Sequence, residues 1–285
     1  MISATIAALN VYPVKGCRGI SLSRARVSAR GLVAQLPSGT AGDREWMIVD
    51  RDGRFVTQRE YPRLALIETG LERGSLVLAT ADLPALAVPL DAPRGPARDV
   101  VVWNSCVRAH DAGEMAARWL SDAVGNEVRL VRFDPGHQRR CNPEYVGDSG
   151  AHTAFADGYP LLVIGESSLT DLNARLTAKG SAALPMNRFR PNVVLAGIEP
   201  FDEDHLDTIA TEDVTLKLVK PCTRCQVTTT DQETAQVGVE PLATLGGYRT
   251  HPALAGVAFG MNAIIVAGEG GELKVGARVA CNFAF

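Results

Sequence analysis

Short runs of alternating hydrophobic and polar positions dominate the first part of the chain. A period of two is typical of strands that bury one face. The runs cover residues 4–12, 22–29, 45–49, 64–68, 76–79, 100–103 and 128–133. Between two of them, Arg51-Asp52-Gly53-Arg54 predicts the turn of a hairpin that joins residues 46–49 to residues 55–58, because glycine tolerates a positive φ. This part of the chain is therefore predicted to form a small β unit.

Two segments show the spacing of helices instead. Asp111-Ala112-Gly113-Glu114 has the form of a capping box, and apolar residues then recur at helical spacing until Gly125. The second helix carries leucines at positions 169, 172 and 176 and follows the apolar run at 161–164. Further strand candidates are residues 193–196, 214–219, 226–230, 263–267 and 278–281. We predict a mainly β protein with a few helices, of the α+β class, whose second half is a partly closed barrel rather than a βαβ array.

Length and charge narrow the classes of function. The chain has 285 residues, which predicts two lobes or one elaborated core. With 29 basic and 32 acidic side chains, it has no overall charge that would attract nucleic acid or an anionic membrane. No apolar run approaches the roughly 18 residues that cross a bilayer, and the first residues lack the pattern of a signal peptide. These features predict a cytoplasmic protein that binds neither nucleic acid nor membrane.

The N-terminal segment is basic and contains no acidic residue before Asp43. An organelle transit peptide has a similar composition. However, Pro13, Gly16, Gly19 and Gly31 would break an amphipathic targeting helix. We therefore interpret the segment as part of the folded protein.

Six cysteines are too few for a disulfide scaffold in a chain of this length, and most should be buried as small apolar side chains. This expectation covers Cys17, Cys106 and Cys281. Cys222 and Cys225 differ because Arg224 lies between them and Lys220 precedes them. Neighbouring cations favour the thiolate, which is the form that attacks electrophiles and binds soft metals. A spacing of two residues occurs in zinc knuckles, redox dithiols and single-ligand sites, so the spacing alone leaves all three open.

Six segments, in order along the chain, resemble the MOSC-domain proteins, and specifically the branch that contains the amidoxime-reducing component and its bacterial relatives. They are Tyr12–Gly19, Asp43–Trp46, Asn187–Asn192, Cys222–Asp231, Glu240–Arg249 and Phe259–Asn262. The resemblance implies an N-terminal β-barrel region at residues 1–122 and a MOSC domain, itself a partly closed β-barrel, at residues 135–285.

The resemblance also implies a molybdenum cofactor, in which the dithiolene of a molybdopterin binds molybdenum. By the family pattern, Cys225 is the protein ligand of the metal and the catalytic residue, whereas Cys222 matches the motif without being a ligand. The other positions that match cofactor-binding residues are Lys15, Gly16, Arg44, Asp157, Gly158, Tyr159, Arg190, Thr223 and Arg224. Gly16 can offer only its backbone, and Tyr159 is larger than the residue the family commonly has there. Arginine and lysine suit the terminal phosphate of the cofactor because they form charge-assisted hydrogen bonds.

The activity implied by the resemblance is reduction of N-hydroxylated compounds, such as hydroxylaminopurines, amidoximes and hydroxamic acids. The chain has no motif for haem, iron–sulfur or dinucleotide binding, so electrons are expected from a separate ferredoxin, flavoprotein or cytochrome-type partner.

Three alternatives remain. The first is a non-enzymatic cofactor carrier or sulfur-transfer module. The second is a redox dithiol, which normally opens a helix, whereas the β-branched residues 226–230 predict a strand. The third is a four-thiolate zinc site, which would need a second cysteine pair.

Overall fold

Strands account for most of the regular structure in residues 1–91 and 94–284, which the computed structural model describes. The strands are β1 (Ile2–Val11), β2 (Ile20–Leu22), β3 (Arg24–Ser28), β4 (Gly31–Leu36), β5 (Gly39–Gly42), β6 (Trp46–Val49), β7 (Glu68–Glu72), β8 (Ser75–Thr80), β9 (Leu83–Pro89), β10 (Ala97–Val102), β11 (Ser105–Asp111), β12 (Arg129–Phe133), β13 (Arg139–Arg140), β14 (His152–Thr153), β15 (Leu161–Gly165), β16 (Val193–Ala196), β17 (Leu206–Ala210), β18 (Thr215–Thr223), β19 (Thr250–His251), β20 (Gly256–Ala267), β21 (Glu272–Lys274) and β22 (Arg278–Phe283). The α-helices are α1 (Glu114–Val124), α2 (Pro143–Val146), α3 (Glu166–Ala178) and α4 (Leu242–Gly246). Short 3-10 turns occur at Pro62–Leu66, Met186–Arg188, Asp202–His205, Gln226–Thr229 and Pro252–Leu254.

Seven strands close into a barrel in the order β15, β16, β1, β22, β17, β18 and β20. Closure occurs because β20 pairs with β18 on one side and with β15 on the other. Neighbouring strands are antiparallel except β15 and β16, which are parallel and are connected through α3. Every residue of β15 is buried, as expected for an apolar strand without alternation. The mainly β, barrel-containing class predicted from the sequence is confirmed.

The first strand of the chain belongs to this barrel. β1 pairs with β16 on one side and with β22 on the other, so that Leu9 lies opposite Val193 and Ile2 lies opposite Cys281. Residues from the beginning and the end of the chain therefore share one sheet. The division into regions 1–122 and 135–285 stays a prediction.

The other strands form smaller sheets. β3, β4 and β5 form a sheet with β21, while β7, β8 and β9 form a three-stranded meander. A further sheet has the order β10, β11, β12 and β6, and α1 packs on β12. The buried face of α1 includes Ala116, Leu120 and Ala123, and the helix ends at Gly125 with a left-handed backbone, as predicted.

Several local predictions were wrong. In each of the following cases, a proline or a side-chain hydrogen bond favours a 3-10 turn where a strand was predicted. Residues 64–68 are not one strand, since Pro62 starts a 3-10 turn there before β7 begins. Residues 226–230 are not a strand either. The hydroxyls of Thr228 and Thr229 donate to the carbonyls of residues 225 and 226, and this local bonding supports the 3-10 turn.

The start of α1 and the predicted hairpin also differ. Instead of capping the helix, the Asp111 carboxylate accepts from the Gly113 N–H and pairs with Arg129, so the N-cap is Gly113 without a side-chain bond. The turn at residues 51–54 is present, and Gly53 has φ +76°. Its second arm makes only an isolated bridge at Phe55 rather than a strand.

Candidate functional site

An open cleft of about 150 Å³ is lined by loops from both the early and the late parts of the chain. All ten of the site residues predicted from the sequence line this cleft, namely Lys15, Gly16, Arg44, Asp157, Gly158, Tyr159, Arg190, Thr223, Arg224 and Cys225. The fold therefore brings together residues that are far apart in the sequence.

Lys15 and Asp157 form an ion pair on one wall of the cleft. The Lys15 ammonium also donates to the Phe155 carbonyl at 2.9 Å and lies 5.3 Å from the Phe55 ring centroid. Burial lowers the pKa of Lys15 although Asp157 opposes this change. Partial enclosure opposes ionisation of Asp157, but the charge of Lys15 outweighs it and holds the pKa of the carboxyl below its usual range. Asp157 is therefore ionised at neutral pH.

Arg44 is held in place by a fully buried carboxylate. Its guanidinium donates to both oxygens of Asp43 and, at 3.2 Å, to the Asn192 side-chain oxygen. Burial would lower the pKa of Arg44, but Asp43 and the Tyr12 hydroxyl together raise it. The guanidinium lies 4.2 Å from the Tyr12 ring centroid.

Arg190 lies against the same ring without a comparable partner. Its guanidinium carbon is 4.3 Å from the Tyr12 ring centroid, and only 9% of the residue is exposed. The buried Nη2 atom has no hydrogen-bond partner among the described residues. Burial and the neighbouring Arg44 lower the pKa of Arg190 to about 10. Arg190 lines the cleft, and its buried guanidinium has a donor that is not used by the described residues. Such a group is suited to bind an anion.

Both arginines have a left-handed backbone, with φ +47° for Arg44 and φ +56° for Arg190. Such values are uncommon for residues other than glycine and are concentrated at functional sites. The backbone of Arg44 is fixed by two bonds, one from its N–H to the Tyr12 carbonyl and one from the Phe155 N–H to its own carbonyl. The two guanidinium groups are thus aimed by the surrounding structure.

The two thiols of the Cys222–Cys225 segment have different surroundings. Cys225 is exposed in the cleft, at the residue before the Gln226–Thr229 turn. Cys222 is partly buried and packs in an apolar cluster, and its sulfur accepts from Arg224 at 2.8 Å. The second arm of the Arg224 guanidinium donates to the Phe189 carbonyl. Arg224 is therefore committed to Cys222, and Cys225 is the thiol that is free to meet a ligand.

Two of the remaining predicted residues are glycines, which can contact a ligand only through their backbone. Gly16 has φ +87°, and its carbonyl accepts from the buried Gln58 side chain at 2.7 Å. Gly158 has open space where a Cβ would be. Tyr159 is buried, packs edge to face with Tyr145, and its hydroxyl finds no partner in the described part of the chain. Burial raises the pKa of Tyr159.

Two positioning residues could not be identified from the sequence pattern. Asn192 is buried, accepts from the Leu162 N–H and donates to the Asn10 carbonyl, so it ties β15 to β1 beneath Arg44. Arg139 donates to three carbonyls of residues 154–157 and so shapes the loop that carries Asp157. Asn192 does lie in a segment that resembles the family, only two residues after Arg190, and that proximity was an available signal.

The charge of the cleft is strongly positive. Of the described residues that line it, five are cationic and one is a carboxylate. They are Lys15, Arg44, Arg59, Arg190 and Arg224 against Asp157. No group of three or more His, Cys, Asp and Glu side chains in the described ranges lies close enough to hold a metal ion. The site is suited to an anionic ligand beside one accessible thiol.

The structure thus combines a closed barrel with a cationic cleft in which the Cys225 thiol is exposed. The chain matches the MOSC N-terminal beta barrel domain over residues 3–127 and the MOSC domain over residues 150–280. It is 37% identical over 251 residues to human mitochondrial amidoxime-reducing component 1, an alignment that covers 86% of this chain and 72% of the relative. The chain therefore belongs to the MOSC family of the amidoxime-reducing components.

Other relatives agree with this assignment. Human mitochondrial amidoxime reducing component 2 is 34% identical over 250 residues, with the same coverage of the two chains. Component 1 of Danio rerio is 33% identical over 246 residues, covering 85% of this chain and 73% of the relative. A solution structure of a Bordetella bronchiseptica protein is 29% identical and covers 32% of this chain and 72% of its own, with a TM-score of 0.30. Within the described residues, no helix combines the length and apolar character required to cross a bilayer.

Proposed function

We propose that this protein is a molybdenum-cofactor-dependent reductase of N-hydroxylated compounds. The proposal is carried by an exposed thiol, Cys225, in the same cleft as the buried guanidinium of Arg190, whose Nη2 has no hydrogen-bond partner among the described residues. A thiolate is a good ligand for molybdenum, and the guanidinium is a good partner for a phosphate. Membership of the amidoxime-reducing component family supports the same reading.

The cleft residues fit such a cofactor. Arg190, Arg44 and Lys15 would hold its phosphate and the polar edge of its pterin through charge-assisted hydrogen bonds. The backbone around Gly16, Gly158 and Thr223, together with Asp157, Tyr159 and Arg224, would line the rest of the cofactor site. Cys225 would bind the metal. When bound, the cofactor supplies two-electron reduction of the substrate's N–O bond.

The protein would supply orientation and electrostatics. Arg139 and Asn192 fix the loops that carry Asp157 and Arg44, so the cationic groups are in place before a ligand arrives. The substrates we propose are hydroxylaminopurines, amidoximes and related N-oxygenated compounds, with electrons from a separate ferredoxin, flavoprotein or cytochrome-type protein. The names of the relatives place those proteins in mitochondria, whereas a cytoplasmic location for this chain stays a prediction.

Elemental analysis of protein made in a host that synthesises the cofactor tests the proposal. We expect stoichiometric molybdenum in the wild type and in Cys222→Ser, and loss of molybdenum in Cys225→Ser. Cys106→Ser is the matched control, because Cys106 is also exposed but does not line the cleft. Retention of molybdenum and full turnover by Cys225→Ala would contradict the ligand role.

A turnover assay with a chemical electron donor separates the alternatives. Molybdenum together with reduction of a hydroxylaminopurine supports the reductase. Molybdenum without reduction of any N-hydroxylated compound supports a carrier or sulfur-transfer module. Protein without molybdenum in which Cys222 and Cys225 form a titratable disulfide supports a dithiol.

A further inference from the structure

Trp103 occupies an unusual position on the rim of the cleft. It is the first residue of the two-residue connection between β10 and β11, in which Val102 pairs with Ser105. Its backbone has φ +53°, in the region that glycine, asparagine and aspartate favour in such turns. A bulky aromatic residue here conflicts with the local preference, and 42% of it remains exposed. Conflicts of this kind are expected where a side chain serves a function.

The indole is held in a fixed orientation. Its Nε1 donates to the Asp157 carboxylate at 3.0 Å, and the Phe55 ring lies 5.0 Å away, centroid to centroid, at an interplanar angle of 58°. The polar edge of the indole is therefore satisfied by the protein, and its remaining surface is apolar. Phe55, Trp103 and Asp157 all line the cleft, so this surface borders the same space as Cys225.

Arg59 completes this rim. Its guanidinium lies 4.9 Å from the Trp103 ring centroid, and the side chain is exposed. No carboxylate in the described part of the chain pairs with it, and its Nε donates to the Thr57 hydroxyl through a long contact of 3.5 Å. The guanidinium is therefore free to move over the indole, and a flat ligand can replace it there or stack on it.

We propose that Trp103 and Arg59, supported by Phe55, form a stacking wall that selects N-hydroxylated compounds with a planar heteroaromatic ring, such as hydroxylated purine bases, over aliphatic ones. The proposal rests on the reductase function proposed above and specifies its substrate class. Every nucleobase has a flat π-face, and indole and guanidinium groups both stack on such faces. Because the indole is oriented before binding, little side-chain freedom is lost when a ring stacks on it.

The test compares 6-hydroxylaminopurine with acetohydroxamic acid as substrates of the cofactor-loaded protein. In Trp103→Leu, we expect kcat/KM for the purine, divided by kcat/KM for acetohydroxamic acid, to fall about tenfold. This is the size expected for loss of one base–aromatic contact. In Trp103→Phe, which keeps a ring but loses the bond to Asp157, the ratio should fall less than about threefold. An equal loss for both substrates in Trp103→Leu would overturn the proposal, because Trp103 would then act only by positioning Asp157.

A measurement of adenine binding distinguishes failure of the stacking wall from failure of the reductase proposal. Adenine, the product of purine reduction, should quench the tryptophan fluorescence of the loaded wild type, and the quenching should be lost in Trp103→Phe. Trp119→Phe is the matched control, since Trp119 does not line the cleft. If the wild type reduces neither substrate but adenine still quenches Trp103, the reductase proposal fails while the stacking wall stands. If adenine does not quench Trp103, the stacking wall is refuted whatever the activity.

Discussion

Replacing Arg190 by methionine is expected to make the cofactor-free protein more stable. The pKa of Arg190 falls from an ordinary value of 12.5 to about 10, because burial and Arg44 disfavour its charge. Since a tenfold change in an ionisation constant corresponds to about 1.4 kcal/mol, the charged form is destabilised by about 3 kcal/mol. This cost is present at every pH below about 10, where the folded protein keeps the charge. Loss of the contact with the Tyr12 ring offsets about 1 kcal/mol, so the net gain is about 2 kcal/mol.

Urea unfolding of the cofactor-free wild type and Arg190→Met measures this difference through the midpoint and the slope of the transition. Arg51→Met is a suitable control, because Arg51 is exposed and outside the cleft, and its effect should stay within about 0.5 kcal/mol. Inorganic phosphate should stabilise the folded wild type by binding to it. The same phosphate concentration should stabilise Arg190→Met much less.

Two results would refute this reasoning. A less stable Arg190→Met protein would mean that the charge of Arg190 is compensated in the absence of cofactor. An equal effect of phosphate on both proteins would mean that Arg190 does not form the anion site. The first result concerns the energetics of the folded protein, and the second concerns the ligand.

Three further outcomes are expected. Gly268→Ala should lower the free energy of unfolding by more than about 3 kcal/mol, since an added Cβ would lie 1.9 Å from a backbone oxygen. Gly276 has a similar φ and open space, so Gly276→Ala should lower it by about 1 kcal/mol. Comparable urea midpoints for the two variants would contradict this. Asp111→Asn should cost about 1–3 kcal/mol at pH 7 in urea unfolding. Burial opposes ionisation of Asp111, but hydrogen bonds from an arginine and a backbone N–H lower its pKa below 3.8. The difference in stability between Asp111→Asn and the wild type should therefore shrink as the pH falls below about 4. A difference that stays constant with pH would exclude this cause. Iodoacetamide should modify Cys106 and Cys225 of the folded, cofactor-free protein before the buried thiols, as peptide mass spectrometry would show, and equal rates would count against the assigned burial.

Local patterns predicted the elements whose neighbours are close in sequence or whose burial is uniform. The leucines of α3 and the apolar run of β15 predicted these elements correctly. Burial on one face of a helix leaves a helical period, and burial on both faces of a strand leaves an unbroken apolar run. The turn at Gln226–Thr229 escaped prediction, because the Thr228 and Thr229 hydroxyls bind backbone carbonyls that β propensity takes no account of. Cys106 was expected to be buried and is exposed, because it lies on an outward face of β11.

The predicted site residues do line one cleft, but their assignment came from resemblance and not from spacing. Trp103 and Arg139 lie outside what the sequence could indicate, because their roles depend on contacts between residues far apart in the chain. Asn192 was signalled only by its proximity to Arg190. Trp103 meets Asp157 from the connection between β10 and β11, and Asn192 meets Asn10 beside the pairing of β1 with β16. The spacing of Cys222 and Cys225 did not favour either thiol. The resemblance favoured Cys225, and the structure adds that Arg224 binds the sulfur of Cys222.

The position of β1 between β16 and β22 has a consequence for biosynthesis. Ile2 pairs with Cys281, so the barrel stays open until the last strand has left the ribosome. At about 5–20 residues per second, the newly made strand waits about 15 s or longer for this neighbour. Its apolar side chains are exposed to aggregation or to chaperones during that interval. The residues that line the cleft run from Lys15 to Asn262, so a complete cleft requires synthesis at least as far as Asn262.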